Sequence, residues 1–307
     1  MPQRNTVKPA NPPGEAAARD AERDGASRNR PAKKAKLGQN FLRDQRVAQR
    51  TVEALGDISQ RIVVEIGPGP GILTGILAQR AARVIAVELD RVLSAQLSMR
   101  FSRDPRVEVV EGNILDVNFR GLLRTRTEPL AGLSSLGPIT KVDVIGNLPY
   151  YITSDILLHL FEQHELIERI VIMVQKEVAD RIVARPGSRD YGLLSATAQL
   201  YTNVERLFTA PPGAFAPAPK VYSSVVRMTV APRFAELQVE PEPFIEFVKR
   251  SFAQKRKTLV NNLKSSYPDG AVRDAIRSAG VRVDARAEAI GLDKMAVIFR
   301  ALQPVQQ

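Results

Sequence analysis

Cysteine and tryptophan are both absent from the 307 residues, and histidine occurs only twice. Without cysteine there is no disulfide framework, no thiolate nucleophile and no cysteine-based zinc site, which excludes a small secreted protein stapled by cross-links. The two imidazoles, His159 and His164, have no His-Glu-x-x-His pattern around them, so neither a zinc hydrolase nor any other metal centre is expected. Acidic charge is in deficit: 33 Asp and Glu stand against 44 Lys and Arg, a net charge of +11. That surplus favours a polyanionic partner, although a generally basic proteome would produce the same balance. Long apolar runs are missing too. Nothing approaches the roughly 18 residues of a spanning helix, and Met1 to Ala10 lack the apolar stretch of a secretory signal. A cytoplasmic protein with no membrane contact is expected.

What is present is ordinary globular usage, 44% hydrophobic and 25% charged residues, in a chain long enough for one large domain and a smaller one. Residues 1–35 are rich in Pro, Ala, Arg and Asn with almost no large apolar side chain beyond Val7. They read as a disordered basic tail, either an RNA-grasping arm or a solvated extension. A βαβ pattern follows: strand Arg61 to Ile66, helix Ile72 to Arg80, strand Arg83 to Val87, then strands at Val107 to Glu111, Val142 to Ile145 and Ile170 to Val174. Nearly continuous apolar strands alternating with helices imply a parallel sheet covered on both faces. Gln199 to Phe208 and Ser224 to Val230 read as two more strands, paired antiparallel. Residues 36–232 are thus expected as an α/β domain. Beyond a Pro-rich joint, Val230 to Pro243, apolar residues at three-to-four spacing predict helices over 244–252, 255–264, 271–279 and 292–302, with Gly280 and Gly291 as stops. Residues 233–307 therefore read as a small helical domain.

Three segments carry chemistry. Glu65-Ile66-Gly67-Pro68-Gly69-Pro70-Gly71 lies where a strand hands over to a helix, and its glycines permit close backbone approach to a ligand. Glu88 ends the next strand, near the roughly 20-residue offset at which an acid takes ribose hydroxyls. The Gly-Pro pairs leave few N–H groups for a pyrophosphate, which favours S-adenosylmethionine over a dinucleotide; a nicotinamide-dependent dehydrogenase is a remote alternative. Asn113, after the third strand, faces the same sheet edge and is placed either to reach the adenine of the cofactor or simply to make a turn.

Asn147-Leu148-Pro149-Tyr150 follows the strand at 142–145. An exocyclic aromatic amine is a poor nucleophile because its lone pair is delocalised into the ring. Accepting hydrogen bonds from both its N–H groups helps rehybridise it toward attack. Asn147 offers a side-chain carbonyl, Pro149 keeps Leu148 out of the α region and can fix a backbone carbonyl as second acceptor, and Tyr150 offers a ring on which a base stacks. Such a pocket takes only a looped or flipped-out base. Phe215, opening the Pro-rich stretch Phe215 to Ser223, is placed either to cover the other face of that base or in the core. Lys249, Arg250, Lys255, Arg256 and Lys257 sit in a stretch without any acid from Phe247 to Pro268. That stretch reads as a phosphate-contacting face or a merely solvated one.

In these motifs, together with Gly38-Gln39-Asn40-Phe41-Leu42, Val87-Glu88-Leu89-Asp90 and Phe252-Ala253-Gln254-Lys255-Arg256-Lys257-Thr258-Leu259, the chain from Leu37 to Leu302 resembles the ribosomal RNA adenine N6-dimethyltransferase family. It is most similar to the bacterial branch acting on two adjacent adenines near the 3′ end of 16S rRNA. The resemblance implies a Rossmann-like S-adenosylmethionine-dependent methyltransferase sheet with a small C-terminal helical domain, acting as a monomer on the small ribosomal subunit or its precursor. It implies cofactor contacts at Asn40, Leu42, Gly67, Gly69, Glu88, Asn113 and Asn147. Asn113 stands where the family usually has Asp, and Tyr151 where a smaller polar residue is common. A 23S rRNA methyltransferase of the macrolide-resistance type and a non-enzymatic RNA-binding derivative of the fold are the alternatives.

Overall fold

The computed structural model describes residues 40–124 and 141–303; the N-terminal tail expected to be disordered lies outside them. A two-residue strand β1 (Phe41–Leu42) leads into α1 (Gln45–Glu53), whose first turn is capped by Asp44 accepting from the Arg46 and Val47 N–H groups. Alternation then sets in: β2 (Ile62–Ile66), α2 (Ile72–Arg80), β3 (Arg83–Glu88), α3 (Arg91–Phe101), β4 (Val107–Glu111), α4 (Phe119–Arg124), β5 (Val142–Asn147), α5 (Thr153–Glu162), β6 (Ile167–Gln175). Strand β2 is buried at all five positions and β5 at all but Asn147. That is why β2 is apolar at every position but Glu65 rather than alternating.

Two short helices, α6 (Lys176–Ile182) and α7 (Leu193–Tyr201), precede β7 (Thr202–Ala210), β8 (Phe215–Ala216) and β9 (Ser223–Val230). Strand order in the main sheet is β4-β3-β2-β5-β6-β9-β7, parallel as far as β6, with β9 antiparallel to both neighbours. The antiparallel pairing expected of the last two strands is present, but Gln199, Leu200 and Tyr201 end a helix instead of opening a strand. Gly192 starts that helix, its N–H donating to the Ser195 hydroxyl at 3.0 Å, and the good helix formers of Leu-Leu-Ser-Ala-Thr-Ala-Gln-Leu-Tyr carry it to the Thr202 hydroxyl, which donates to the Ala198 carbonyl at 2.7 Å.

Helices α8 (Phe234–Leu237), α9 (Pro241–Ser251), α10 (Leu259–Leu263), α11 (Asp269–Ser278) and α12 (Leu292–Leu302) complete the described chain. The helix expected from residue 255 begins only at Leu259, because the Thr258 hydroxyl caps it by accepting from the Asn261 N–H. Gly280, at φ 64°, follows the end of α11 as expected, whereas Gly291 is the N-cap of α12 and not a stop. The helices expected as a second domain share one continuous buried cluster with the sheet: Phe244, Phe247 and Phe299 join Tyr201, Val226 and Met228 in it. Among the described residues no helix is long and apolar enough to cross a membrane.

Strand order reverses at the β2/β5 pair, where Ile66 lies opposite Gly146. A Cβ on Gly146 would lie 2.6 Å from the Ile66 carbonyl oxygen, so glycine is what allows these two strands to close up at the switch point where ligands bind in open α/β sheets.

Candidate active site

Two loops meet at that point. In the glycine loop, Gly67, Gly69 and Gly71 all adopt positive φ (62°, 55° and 84°), conformations that side chains with a Cβ rarely take. Every backbone N–H from 67 to 71 is either missing, at Pro68 and Pro70, or used internally. Gly67 donates to the Val87 carbonyl, Gly69 to Glu88 Oε2 and Gly71 to the Pro68 carbonyl, each at 2.9 Å. The loop therefore has no amide left for a pyrophosphate, and the dinucleotide reading fails on hydrogen-bond accounting. Glu88, buried at the end of β3, ties the loop down with one oxygen and accepts from the Asp90 N–H at 2.9 Å with the other. Each carboxylate oxygen keeps a further lone pair for a ligand hydroxyl.

Glu65, beneath the loop, was not singled out by its sequence as a separate group. The only signal was an acid inside a β-branched run. It is buried and accepts from the Thr74 hydroxyl at 2.6 Å; burial, with Glu88 nearby, pushes its pKa up to about 7 against an ordinary 4.5. Between those values the folded state keeps a proton that the unfolded state has lost. Stability is therefore highest below pH 4.5 for this group and falls as pH rises through 7, by up to about 3 kcal/mol. Glu65→Gln is expected to raise the melting temperature at pH 8 more than at pH 5. Equal shifts at the two pH values in a thermal-melt series would contradict this.

The second loop is the Asn-Leu-Pro-Tyr box. Asn147 Nδ2 donates to the Asn40 carbonyl at 2.9 Å, whereas Asn147 Oδ1, buried, has no partner among the described residues. A buried acceptor without a donor is costly unless a ligand supplies one. The Leu148 N–H donates to Met173 O at 3.0 Å, and the Pro149 carbonyl accepts from the Thr153 hydroxyl at 3.0 Å. The Leu148 carbonyl receives no donor from the described residues, so it too is an open acceptor. The Tyr150 hydroxyl lies 2.9 Å from Ser223 Oγ, and burial moves its pKa up. Ser223 closes the Pro-rich stretch from Phe215, and its contact across 73 residues has no local signal.

Other expected residues fall differently. Phe215 is 4% exposed and sits in a core cluster with Leu42 and Ala214; β8 pairs antiparallel with β1, Leu42 opposite Phe215. Its expected role over the base is corrected to a packing one, and Leu42, 5% exposed, likewise offers its side chain to the core. Asn113 caps a 3-10 turn, its Oδ1 accepting from the Leu115 N–H at 3.2 Å. Its amide nitrogen has no partner among the described residues. Of the basic stretch, Arg250 is held by Glu246 at 2.9 Å and by the Ser266 hydroxyl, and Lys255 Nζ reaches the Arg189 carbonyl at 3.4 Å. Lys249, Arg256 and Lys257 are exposed and make no ion pair with the described residues. His159 contacts the Val117 carbonyl and His164 the Phe161 carbonyl, each at 2.9 Å, so both imidazoles fasten local structure. No group of three or more His, Cys, Asp or Glu suited to a metal occurs among the described residues.

A seven-stranded sheet with one antiparallel strand, a glycine loop, an acid at the next strand end and an Asn box at the switch point define an α/β domain of the Rossmann-like methyltransferase type. Residues 30–304 match the family described as ribosomal RNA adenine dimethylase. The chain belongs to that family. A relative from Koribacter versatilis, named ribosomal RNA small subunit methyltransferase A, is 57% identical over 275 residues, covering 90% of this chain and 96% of its own. Among solved structures, a 23S rRNA methyltransferase ErmE aligns with TM-score 0.62 at 28% identity over 86% of this chain and 99% of that one. A Plasmodium falciparum dimethyladenosine transferase aligns with TM-score 0.68 at 21% identity over 84% and 95%.

Proposed function

We propose that this protein transfers methyl groups from S-adenosylmethionine to N6 of two adjacent adenines near the 3′ end of 16S rRNA, in the small subunit or its precursor, and that it acts as a monomer. The observation that carries the reading is the partnerless, buried Asn147 Oδ1 beside a glycine loop whose amides are all satisfied. Open acceptors with no spare amide beside them suit a ligand without phosphates, one whose ribose hydroxyls donate to Glu88 and which lies on the loop backbone at Gly67, where a Cβ position meets nothing within 4 Å. When bound, that cofactor supplies an electrophilic methyl group on a sulfonium. Asn147 Oδ1 and the Leu148 carbonyl accept the two N6 hydrogens of a flipped-out adenine and direct its lone pair outward. The Tyr150 ring stacks on the base, held by Ser223. Catalysis rests on positioning and hydrogen bonding. Each transfer ends with the loss of one N6 proton to solvent, so the dimethylated amine, which has no N6 hydrogen left, is the end point.

Measuring methyl incorporation from labelled S-adenosylmethionine into unmethylated small and large subunits, with primer-extension mapping, tests the reading. Small-subunit signal at neighbouring adenines is expected. Signal in 23S rRNA, the reading that the likeness to the 23S enzyme favours, would overturn it, as would binding without incorporation. Exposed Lys249, Arg256 and Lys257 supply phosphate contacts in this reading. Arg256→Ala and Lys257→Ala are each expected to reduce the slope of log K against log salt for particle binding by about 0.7–0.9. An unchanged slope would assign this face to solvent.

A further inference from the structure

Six large hydrophobic side chains are exposed among the described residues, and three of them, Tyr151, Val221 and Tyr222, lie on two segments that meet at the active site. Tyr151 is 61% exposed and directly follows Tyr150; Tyr222 is 54% exposed and directly precedes Ser223. The 2.9 Å contact between the Tyr150 hydroxyl and Ser223 Oγ ties together the two segments that carry the exposed rings, each ring one residue from that contact and the first four residues from Asn147. Both mounts are fixed. The Tyr222 carbonyl accepts from the Lys176 N–H at 2.9 Å, and Tyr151 lies inside the turn that the Ile152 N–H closes on the Pro149 carbonyl at 3.3 Å. Neither ring takes part in any of the aromatic pairs that fasten the core rings. Lys220, exposed, stands two residues from Tyr222.

An adenine drawn into the pocket leaves its neighbour in the strand without a stacking partner, a loss that must be offset somewhere. Aromatic side chains at the rim replace that stack, and a lysine beside them suits the intervening phosphate. With Phe215 in the core, these are the accessible rings next to Tyr150. We propose that Tyr151 and Tyr222 form a stacking rim for the nucleobase adjacent to the adenine in the Asn147 pocket, a positioning role that rests on the adenine-methylation reading above.

The test uses the full chain, S-adenosylmethionine and unmethylated small-subunit particles. The double variant Tyr151→Ala/Tyr222→Ala is expected to lose about tenfold in kcat/KM, mainly through KM, with cofactor affinity and melting temperature unchanged. Tyr151→Phe/Tyr222→Phe, which keeps both rings, is expected to restore the wild-type value. A double-alanine enzyme with wild-type kcat/KM, or phenylalanine variants as impaired as alanine ones, would overturn the rim. Asn147→Ala separates the two readings: if it is inactive while the double-alanine enzyme is normal, only the rim fails, whereas an active Asn147→Ala removes the pocket itself.

Discussion

Asn147→Ala is expected to lower single-turnover methyl transfer by about 10²–10³-fold, the range found when one preorganised hydrogen-bonding group is taken from a reaction centre, while cofactor affinity changes only modestly. The substitution removes the acceptor that the proposed mechanism assigns to N6, and it also releases the Asn40 carbonyl from its 2.9 Å partner. Asn147→Asp separates these effects. A carboxylate keeps the acceptor but sets an oxygen against the Asn40 carbonyl, so its rate should fall between those of alanine and wild type. Rapid-quench measurement with saturating particles and cofactor reads the chemical step apart from binding. An alanine variant within a few-fold of wild type would show that the orphaned oxygen is not what prepares the amine.

Phe215→Ala is expected to act on stability, at a cost of about 3–5 kcal/mol, because it empties a core site. The ring is 4% exposed in a cluster with Leu42, Val63, Leu73 and Ile145, and the β8 strand it opens is what β1 pairs with. Loss of the ring therefore loosens the segment that presents the Asn40 carbonyl to Asn147. Chemical denaturation should show the full loss, and activity at low temperature should suffer less than stability does. A variant with unchanged denaturation midpoint but strongly weakened RNA binding would return Phe215 to the base.

Much of this arrangement was legible in the chain itself, for identifiable reasons. The β2, β3 and β5 strands are buried at nearly every position because helices cover both faces, which leaves a β-branched apolar stretch in each, and a glycine-rich turn marks where β2 ends. The Asn-Leu-Pro-Tyr box was legible because its four residues act locally at one strand end. What stayed hidden depends on partners far along the chain. The burial of Phe215 follows from pairing with a strand more than 170 residues upstream; the Tyr150–Ser223 contact spans 73 residues. Arg250 looked like a phosphate ligand in a run without acids, yet Glu246, one helical turn earlier and just outside that run, claims it. Gln199 to Tyr201 misled because a short apolar stretch fits the end of a buried helix as well as the start of a strand.

The glycine loop at 67–71 completes its own hydrogen bonds through Val87, Glu88 and Pro68, and so it keeps its shape whether or not anything lies against it. Entry and departure of a ligand at such a surface require no refolding, which leaves diffusion and access to set the pace.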